Sequence, residues 1–154
     1  MQEISLVQAI ARFLEQVCSQ YQLPNKRGEL VVPKIFTNYL PPKRTGNDDD
    51  FPFIIVRPVS GSTSEATVTD VSLIVGIYDK DLTGFERALE VVTKIRTALL
   101  SIPTQVLEKR YQLRLPIEWH NVDEQAWPQW QLNITTHWLT FSPKPWTDGT
   151  DYGL

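Results

Sequence analysis

The 154-residue chain has one cysteine, one methionine and two histidines. A single thiol, Cys18, excludes an internal disulfide and fits a reducing compartment. No apolar run reaches the ~18 residues of a membrane-spanning helix. Cations are not in excess, because 15 Lys and Arg stand against 18 Asp and Glu, a formal charge of −3. The basic residues Lys43 with Arg44, Arg57, and Lys109 with Arg110 are short, scattered groups. Nucleic-acid binding as the main task needs a clustered basic stripe, and none is expected here. The chain lacks G-x-S-x-G, a phosphate-cradling glycine loop and the dinucleotide-binding fingerprint. The N-terminal stretch carries Glu3, Arg12 and Glu15 inside its apolar pattern, so it reads as a helix of a cytosolic protein and no signal peptide is expected.

What is present is an ordinary globular composition, 42% hydrophobic and 21% charged, of a length that fits one domain. Such a chain buries roughly 70% of the surface its unfolded form exposes and needs no disulfide or metal staple. Eleven prolines punctuate it, and all five tryptophans lie C-terminal to Pro116.

Helical spacing over residues 3–21 places Ile4, Val7, Ala11, Leu14, Cys18 and Tyr21 on one stripe, widened by Ile10, Phe13 and Val17. "LVVPKIFTNYL" is a strand run broken by Pro33, so the strand lies at an edge or begins after the proline. "FPFIIVRPVSGS" reads as a second strand and "GSTSE" as a turn. "EATVTDVSLIVGIYDKD" is the longest strand, with Val71, Leu73, Val75 and Ile77 on one face and Asp70, Ser72, Ile74, Gly76 and Tyr78 on the other. A strand of this length is expected to project past its sheet. "LTGFERALEVVTKIRTALLSIP" is a helix, with Thr83 and Glu86 in capping-box spacing. Residues 104–115 read equally as helical or extended. "LPIEWHNV" and "WQLNITTHWLTFS" are further strands. The expected fold is α+β: a largely antiparallel or mixed sheet of about five strands, with two main helices packed on one face. Residues 1–141 are expected to form a single domain, and 142–154, polar and rich in Pro and Gly, a flexible tail.

Catalytic chemistry finds little support. Asp48, Asp49 and Asp50 are adjacent, so their side chains diverge, and they lack the spacing of a calcium loop. Glu118 and His120 share a strand face, with His137 able to pair across the sheet. Two sheet-surface histidines are a more ordinary reading than a metal site. Cys18 on the helix stripe behaves as a small hydrophobe. No catalytic residue, metal or cofactor is assigned, and no enzyme is expected.

Loop 41–50 changes sign within a few residues, from Lys43 and Arg44 to Asp48, Asp49 and Asp50. Charges of this kind keep a loop soluble beside an edge strand. Equally, the basic half of one copy can face the acidic half of the next in a head-to-tail ring.

Taken in order, the N-terminal helix, the Pro- and Asp-bearing loop, "FPFIIVRPVSG", "TDVSLIVGIYDKD", the helix "GFERALEVVTKIRTALLS" and the closing "PQWQLNITTHWLTF" resemble a known pattern. It is that of the tail-terminator and tail-completion (neck) proteins of long-tailed bacteriophages and phage-tail-like particles. The resemblance covers about residues 3–141 as a pattern of segments. It implies a homo-oligomeric ring, usually of six subunits, in the tail or neck of a virion assembled in the host cytoplasm. Such a ring caps the tail tube, stops its polymerisation and offers a surface to the head connector. The implied partners are further copies of the chain, the tail tube protein and a head-connector protein. No specific nucleic-acid binding is implied, although DNA passes through such a ring. The expected contact residues are Lys43, Arg44, Asp48, Asp49 and Asp50, the turn 60–65, and the rim Asp79, Lys80 and Asp81. A head-completion or connector protein is the neighbouring alternative. Beyond that stand a small cytosolic enzyme or a binding module.

Overall fold

The computed structural model describes residues 2–41, 50–122 and 125–141. Helix α1 (Gln2–Val17) is followed by β1 (Leu23–Pro24), β2 (Leu30–Val31), β3 (Lys34–Thr37), β4 (Phe53–Thr63) and β5 (Ala66–Tyr78). Helix α2 (Gly84–Leu100), a 3-10 turn (Pro103–Gln105), β6 (Val106–Leu107), β7 (Tyr111–Asn121) and β8 (Gln129–Phe141) complete the order. β1 and β2 form a small antiparallel ribbon, and the remaining strands form one sheet in the order β3-β4-β5-β8-β7-β6. The fold is thus the expected α+β, with a sheet of six strands.

Alternation decides which side of the sheet is buried. Val71, Leu73, Val75 and Ile77 of β5 are at most 1% exposed and meet Leu132, Ile134 and Trp138 of β8 on the same face. Both helices close that face, α1 over β3 and β4 and α2 over β5 and β8. α1 contributes Leu6, Val7, Ala9, Ile10, Ala11 and Leu14, and α2 contributes Ala88, Val91, Val92, Ile95 and Leu99. Each large aliphatic side chain buried this way stabilises the fold by about 1.5–3 kcal/mol.

Several local expectations are corrected. α1 ends at Val17, because Ser19 turns its hydroxyl and its N–H back onto the Gln16 carbonyl and closes the last turn. Cys18 lies just beyond the helix, still buried. Ile4, assigned to the apolar stripe, is exposed. β3 begins after Pro33 and is an edge strand, but it runs parallel to β4. β5 does not project alone, since β8 pairs with it from Ala66↔Phe141 to Tyr78↔Gln129. Thr83 makes no side-chain cap to α2. Instead Asp81 makes an Asx turn ahead of the helix, its carboxylate accepting the Thr83 N–H at 3.1 Å. β7 starts at Tyr111, and its register with β8 breaks between Arg114 and Glu118, where Pro116 has no N–H to give.

The second face of the sheet is divided. Phe51, Phe53 and Ile55, with Phe36, Leu40, Ile74 and Tyr78, form a separate apolar cluster over β3, β4 and β5. Phe53 lies opposite Gly76 and covers it with its ring, so a side chain at 76 would collide with that ring. Towards β8 and β7 the same face carries Gln131, Asn133, Thr135 and His137 beside Glu118 and His120. An antiparallel sheet tolerates such a solvated side.

Candidate functional site

β4 and β5 form one long hairpin. Thirteen residues of β5 span about 40 Å at ~3.3 Å per residue. Two of the three expected contact regions sit at its opposite ends. At one end residues 60–65 are exposed throughout, but β4 runs on to Thr63 and only Ser64 and Glu65 form the turn. Asp79, Lys80 and Asp81 follow the last residue of β5 at the other. Asp50 lies just before Phe51 of the apolar cluster, and Lys43, Arg44, Asp48 and Asp49 fall outside the described residues.

The 79–82 turn is held from below by tryptophans. Trp130 of β8 donates its indole N–H to the Asp79 carbonyl at 2.9 Å, and Trp127 donates to the Lys80 carbonyl at 3.2 Å. The Asp79 carboxylate accepts the Asp81 N–H at 2.9 Å and pairs with Arg87 of α2 at 3.1 Å. Hydrogen bonds from Thr83 hold the Asp81 carboxyl below its ordinary range. Asp79 is therefore the structural member of the trio, while Lys80 and Asp81 are exposed. Beside them Leu82 is 78% exposed and Trp127 is 56% exposed. Large apolar side chains on a fixed turn are the kind of group that anchors a protein partner. The tryptophans had no role in the sequence reading. Their signal, indole donors beside a strand-to-helix turn, becomes legible only once β8 is placed next to β5.

The polar face holds one organised cluster. His137 Nδ1 lies 2.6 Å from Asp70 Oδ1, and Nε2 lies 3.7 Å from Glu118 Oε1. Ser60 donates to the other Asp70 oxygen at 3.0 Å. The His137 contact, more than the Ser60 hydrogen bond, pulls the Asp70 carboxyl below its ordinary value, against the opposing effect of partial burial. The sequence reading paired His137 with Glu118 and His120. His137 does reach Glu118, at 3.7 Å, but its nearer partner is Asp70, which the register places opposite it, and His120 lies opposite Asn133. Chemically the cluster is a clamp across β4, β5, β8 and β7. Ser60 is bonded to the carboxylate, away from the imidazole, so it is not set up as a nucleophile beside a base. Among the described residues no group of three or more His, Cys, Asp or Glu is placed to hold a metal ion.

The remaining candidates are absorbed structurally. Arg57 lies over the Tyr39 ring, 4.1 Å from its centroid, and donates to the Asn38 carbonyl at 2.7 Å. Arg110 lies over Tyr111, and Lys109 sits in the β6–β7 turn. Burial pushes the Cys18 thiol up, away from the reactive thiolate. No described helix is long and apolar enough to cross a membrane. No protein-family model matches the chain, and no curated protein matches it either.

Proposed function

We propose that this chain is the subunit of a ring that caps the tail tube of a long-tailed bacteriophage or a related particle. The ring ends tube growth and presents its far side to the head connector. The observation that supports this reading best is the separation of two unlike surfaces by about 40 Å of continuous hairpin. One end is the hairpin tip at Ser64 and Glu65, next to the Ser-Gly-Ser-Thr end of β4, and the other is the tryptophan-held turn bearing Lys80, Asp81 and Leu82. A unit with unlike ends can dock on the last tube ring through one surface while its other surface fails to reproduce the tube's own growing face. Termination then follows from mismatch as much as from attraction. The function requires no bond to be made or broken. The resemblance in segment order supports the same reading.

The test is genetic and visual. Particles assembled without the protein are expected to carry tails of irregular, overgrown length by electron microscopy, and the purified protein is expected to sediment as a ring when mixed with tube protein. Tails of uniform, normal length in the deletion would remove the terminator role.

A further inference from the structure

Four tryptophans lie among the described residues. Trp127, Trp130 and Trp138 each donate their indole N–H within the subunit. Trp119 does not: it is 42% exposed, and its N–H has no partner among the described residues. It sits on β7 opposite Ile134, hence on the helix-bearing face of the sheet. Beyond the short pairing with β6 at Gln112 and Tyr111, the outer edge of β7 has no strand beside it among the described residues.

The other side of the sheet has a matching gap. β3 pairs with β4 only as far as Thr37↔Val56, and Asn38 beyond it still donates its N–H to the Val56 carbonyl, so among the described residues no strand pairs with the outer edge of β4 from Pro58 to Thr63. Gly61 lies in this stretch, and a Cβ there would meet no clash inside the subunit. An added methyl would sit 3.4 Å from the Val68 carbonyl oxygen and 3.8 Å from Thr69 Oγ1, ordinary contact distances, with no left-handed backbone. Just past the irregularity of β4 between Pro58 and Ser60, the missing side chain of Gly61 leaves room for close approach by another group. Along this edge runs a groove of about 400 Å³, lined by Glu3, Gly61, Ser62, Thr63 and Thr69 among others.

We propose that Trp119 of one copy fills the Gly61 groove of the next, with the free edges of β7 and β4 pairing as antiparallel strands between subunits. β4 and β7 already run in opposite directions within the sheet, so a neighbouring β7 meets β4 antiparallel. Matching faces restricts the register to steps of two residues, and seating Trp119 over Gly61 selects one: Gly61 opposite Trp119, Ser62 opposite Glu118 and Ser60 opposite His120. The indole then covers a glycine, as Phe53 covers Gly76 inside the subunit, and Glu3 lines the groove as an acceptor for the indole N–H. Neither flanking strand obstructs, because β3 stops below Arg57 and β6 pairs only with the far end of β7.

The contact cannot form within one subunit, since β5 and β8 separate the two edges. It is head-to-tail, and head-to-tail contacts close into rings when the rotation fits. Within one subunit Gly61 aligns with Trp138 of β8 and Trp119 aligns with Ile134, so each joint steps by four β8 residues. That is about 13 Å of rise over ~19 Å of sheet, a strand tilt of about 35°, at the edge of the range in which sheets close into barrels. The proposal rests on reading the chain as a ring subunit, and it names the contact that builds the ring.

Cysteine pairing tests both levels separately. Ser62→Cys and Glu118→Cys, each oxidised alone, are expected to remain uncrosslinked, and an equimolar mixture is expected to give a covalent dimer. The double variant is expected to give a ladder ending at the ring mass, with wild type as the control for buried Cys18. Dimers from either single variant would show a symmetric edge contact and overturn the proposal. A ring by sedimentation with no crosslink in the mixture would overturn this contact and leave the ring reading standing. A monomer at every concentration, with or without tube protein, would overturn both. Trp119→Ala and Gly61→Val are expected to weaken ring formation at least tenfold by analytical ultracentrifugation. In the dilute monomer, Gly61→Val is expected to raise the unfolding midpoint, which separates an assembly role from a folding role. Unchanged ring formation in both variants would also overturn the contact.

Discussion

Trp130 donates its indole N–H to the Asp79 carbonyl at 2.9 Å, joining residues 51 apart in the chain. The indole also packs against Gly84, the first residue of α2, where an added methyl would run into the ring and into the Asp79 side chain. The turn that ends β5 and the start of α2 are therefore set by one side chain from the last strand. Gly84→Ala is expected to destabilise the fold by about 1–3 kcal/mol through overpacking. Trp130→Phe is expected to cost about 1 kcal/mol from the lost hydrogen bond, plus a smaller packing loss. Urea unfolding followed by circular dichroism checks both, and a neutral Gly84→Ala would show that the turn relaxes away from the indole.

A second buried chain of hydrogen bonds runs through the core. Thr136 donates to the Val71 carbonyl at 2.8 Å and accepts the Trp138 indole N–H at 2.8 Å, with Thr136 and Trp138 fully buried. Thr136→Val keeps the volume but leaves the indole donor unpaired, so it is expected to cost about 2–4 kcal/mol, more than a surface Thr→Val. Pairing it with Trp138→Phe removes the orphaned donor. The double variant is expected to be less destabilised than the sum of the two singles, and simple additivity in chemical unfolding would contradict the network.

The strands and helices were legible because their apolar periods are strong, and the burial of Val71, Leu73, Val75 and Ile77 follows directly from alternation. The parallel direction of β3 was not legible. A parallel neighbour depends on where its connection returns, and no residue type encodes that. The Asp70–His137 pair was missed for a related reason. Choosing Asp70 over Glu118 or His120 needs the β5–β8 register, which the hydrophobic pattern fixes only once the two strands are known to be adjacent. Trp119 and Gly61 each look unremarkable in sequence, and their complementarity appears only when both free edges are seen on one sheet.

Asp70 predicts a pH dependence. Its carboxyl is held below the ordinary value of ~3.9, first by His137, so its contribution is present at neutral pH and is lost as pH falls through about 4 and below. The pair is partly exposed, so solvent screening keeps that contribution under about 1 kcal/mol. Asp70→Asn is expected to lower neutral-pH stability slightly and to flatten the acid limb of stability against pH. Glu108, depressed by its hydrogen bonds to Arg12, leaves a residual slope. An acid limb unchanged in Asp70→Asn, measured by unfolding between pH 3 and pH 7 on the order of one unit apart, would place the linkage elsewhere.

The β6–β7 turn predicts a stabilising change. Glu108 and Lys109 both have positive φ, 50° and 62°, in the tight turn closed by Arg110 N–H to the Leu107 carbonyl. Left-handed backbone costs a side-chain-bearing residue roughly 1–2 kcal/mol. Glu108 has a second task, its two-point contact with Arg12 of α1 at 2.8 and 3.0 Å, so it should be kept. Lys109→Gly is expected to stabilise by up to about 1 kcal/mol, because relieved strain exceeds the entropy glycine adds to the unfolded chain. A lower thermal midpoint in the variant would show that Lys109 is better matched to this turn than its backbone angle implies.

Leu82 separates docking from folding. At 78% exposed on a turn fixed by Trp127 and Trp130, it contributes little to the core. Leu82→Lys is therefore expected to leave the unfolding midpoint within about 0.5 kcal/mol of wild type. If the tryptophan-held end is the face that meets the tube, burying an ammonium there penalises the complex, and capping affinity should fall at least tenfold, ~1.4 kcal/mol. Ring assembly should be unaffected, because Leu82 lies away from the paired β4 and β7 edges. Co-sedimentation with tube ends reads the first effect and ultracentrifugation the second. Unchanged capping by a folded Leu82→Lys ring would assign tube docking to the opposite end, the Ser64–Glu65 tip of the long hairpin.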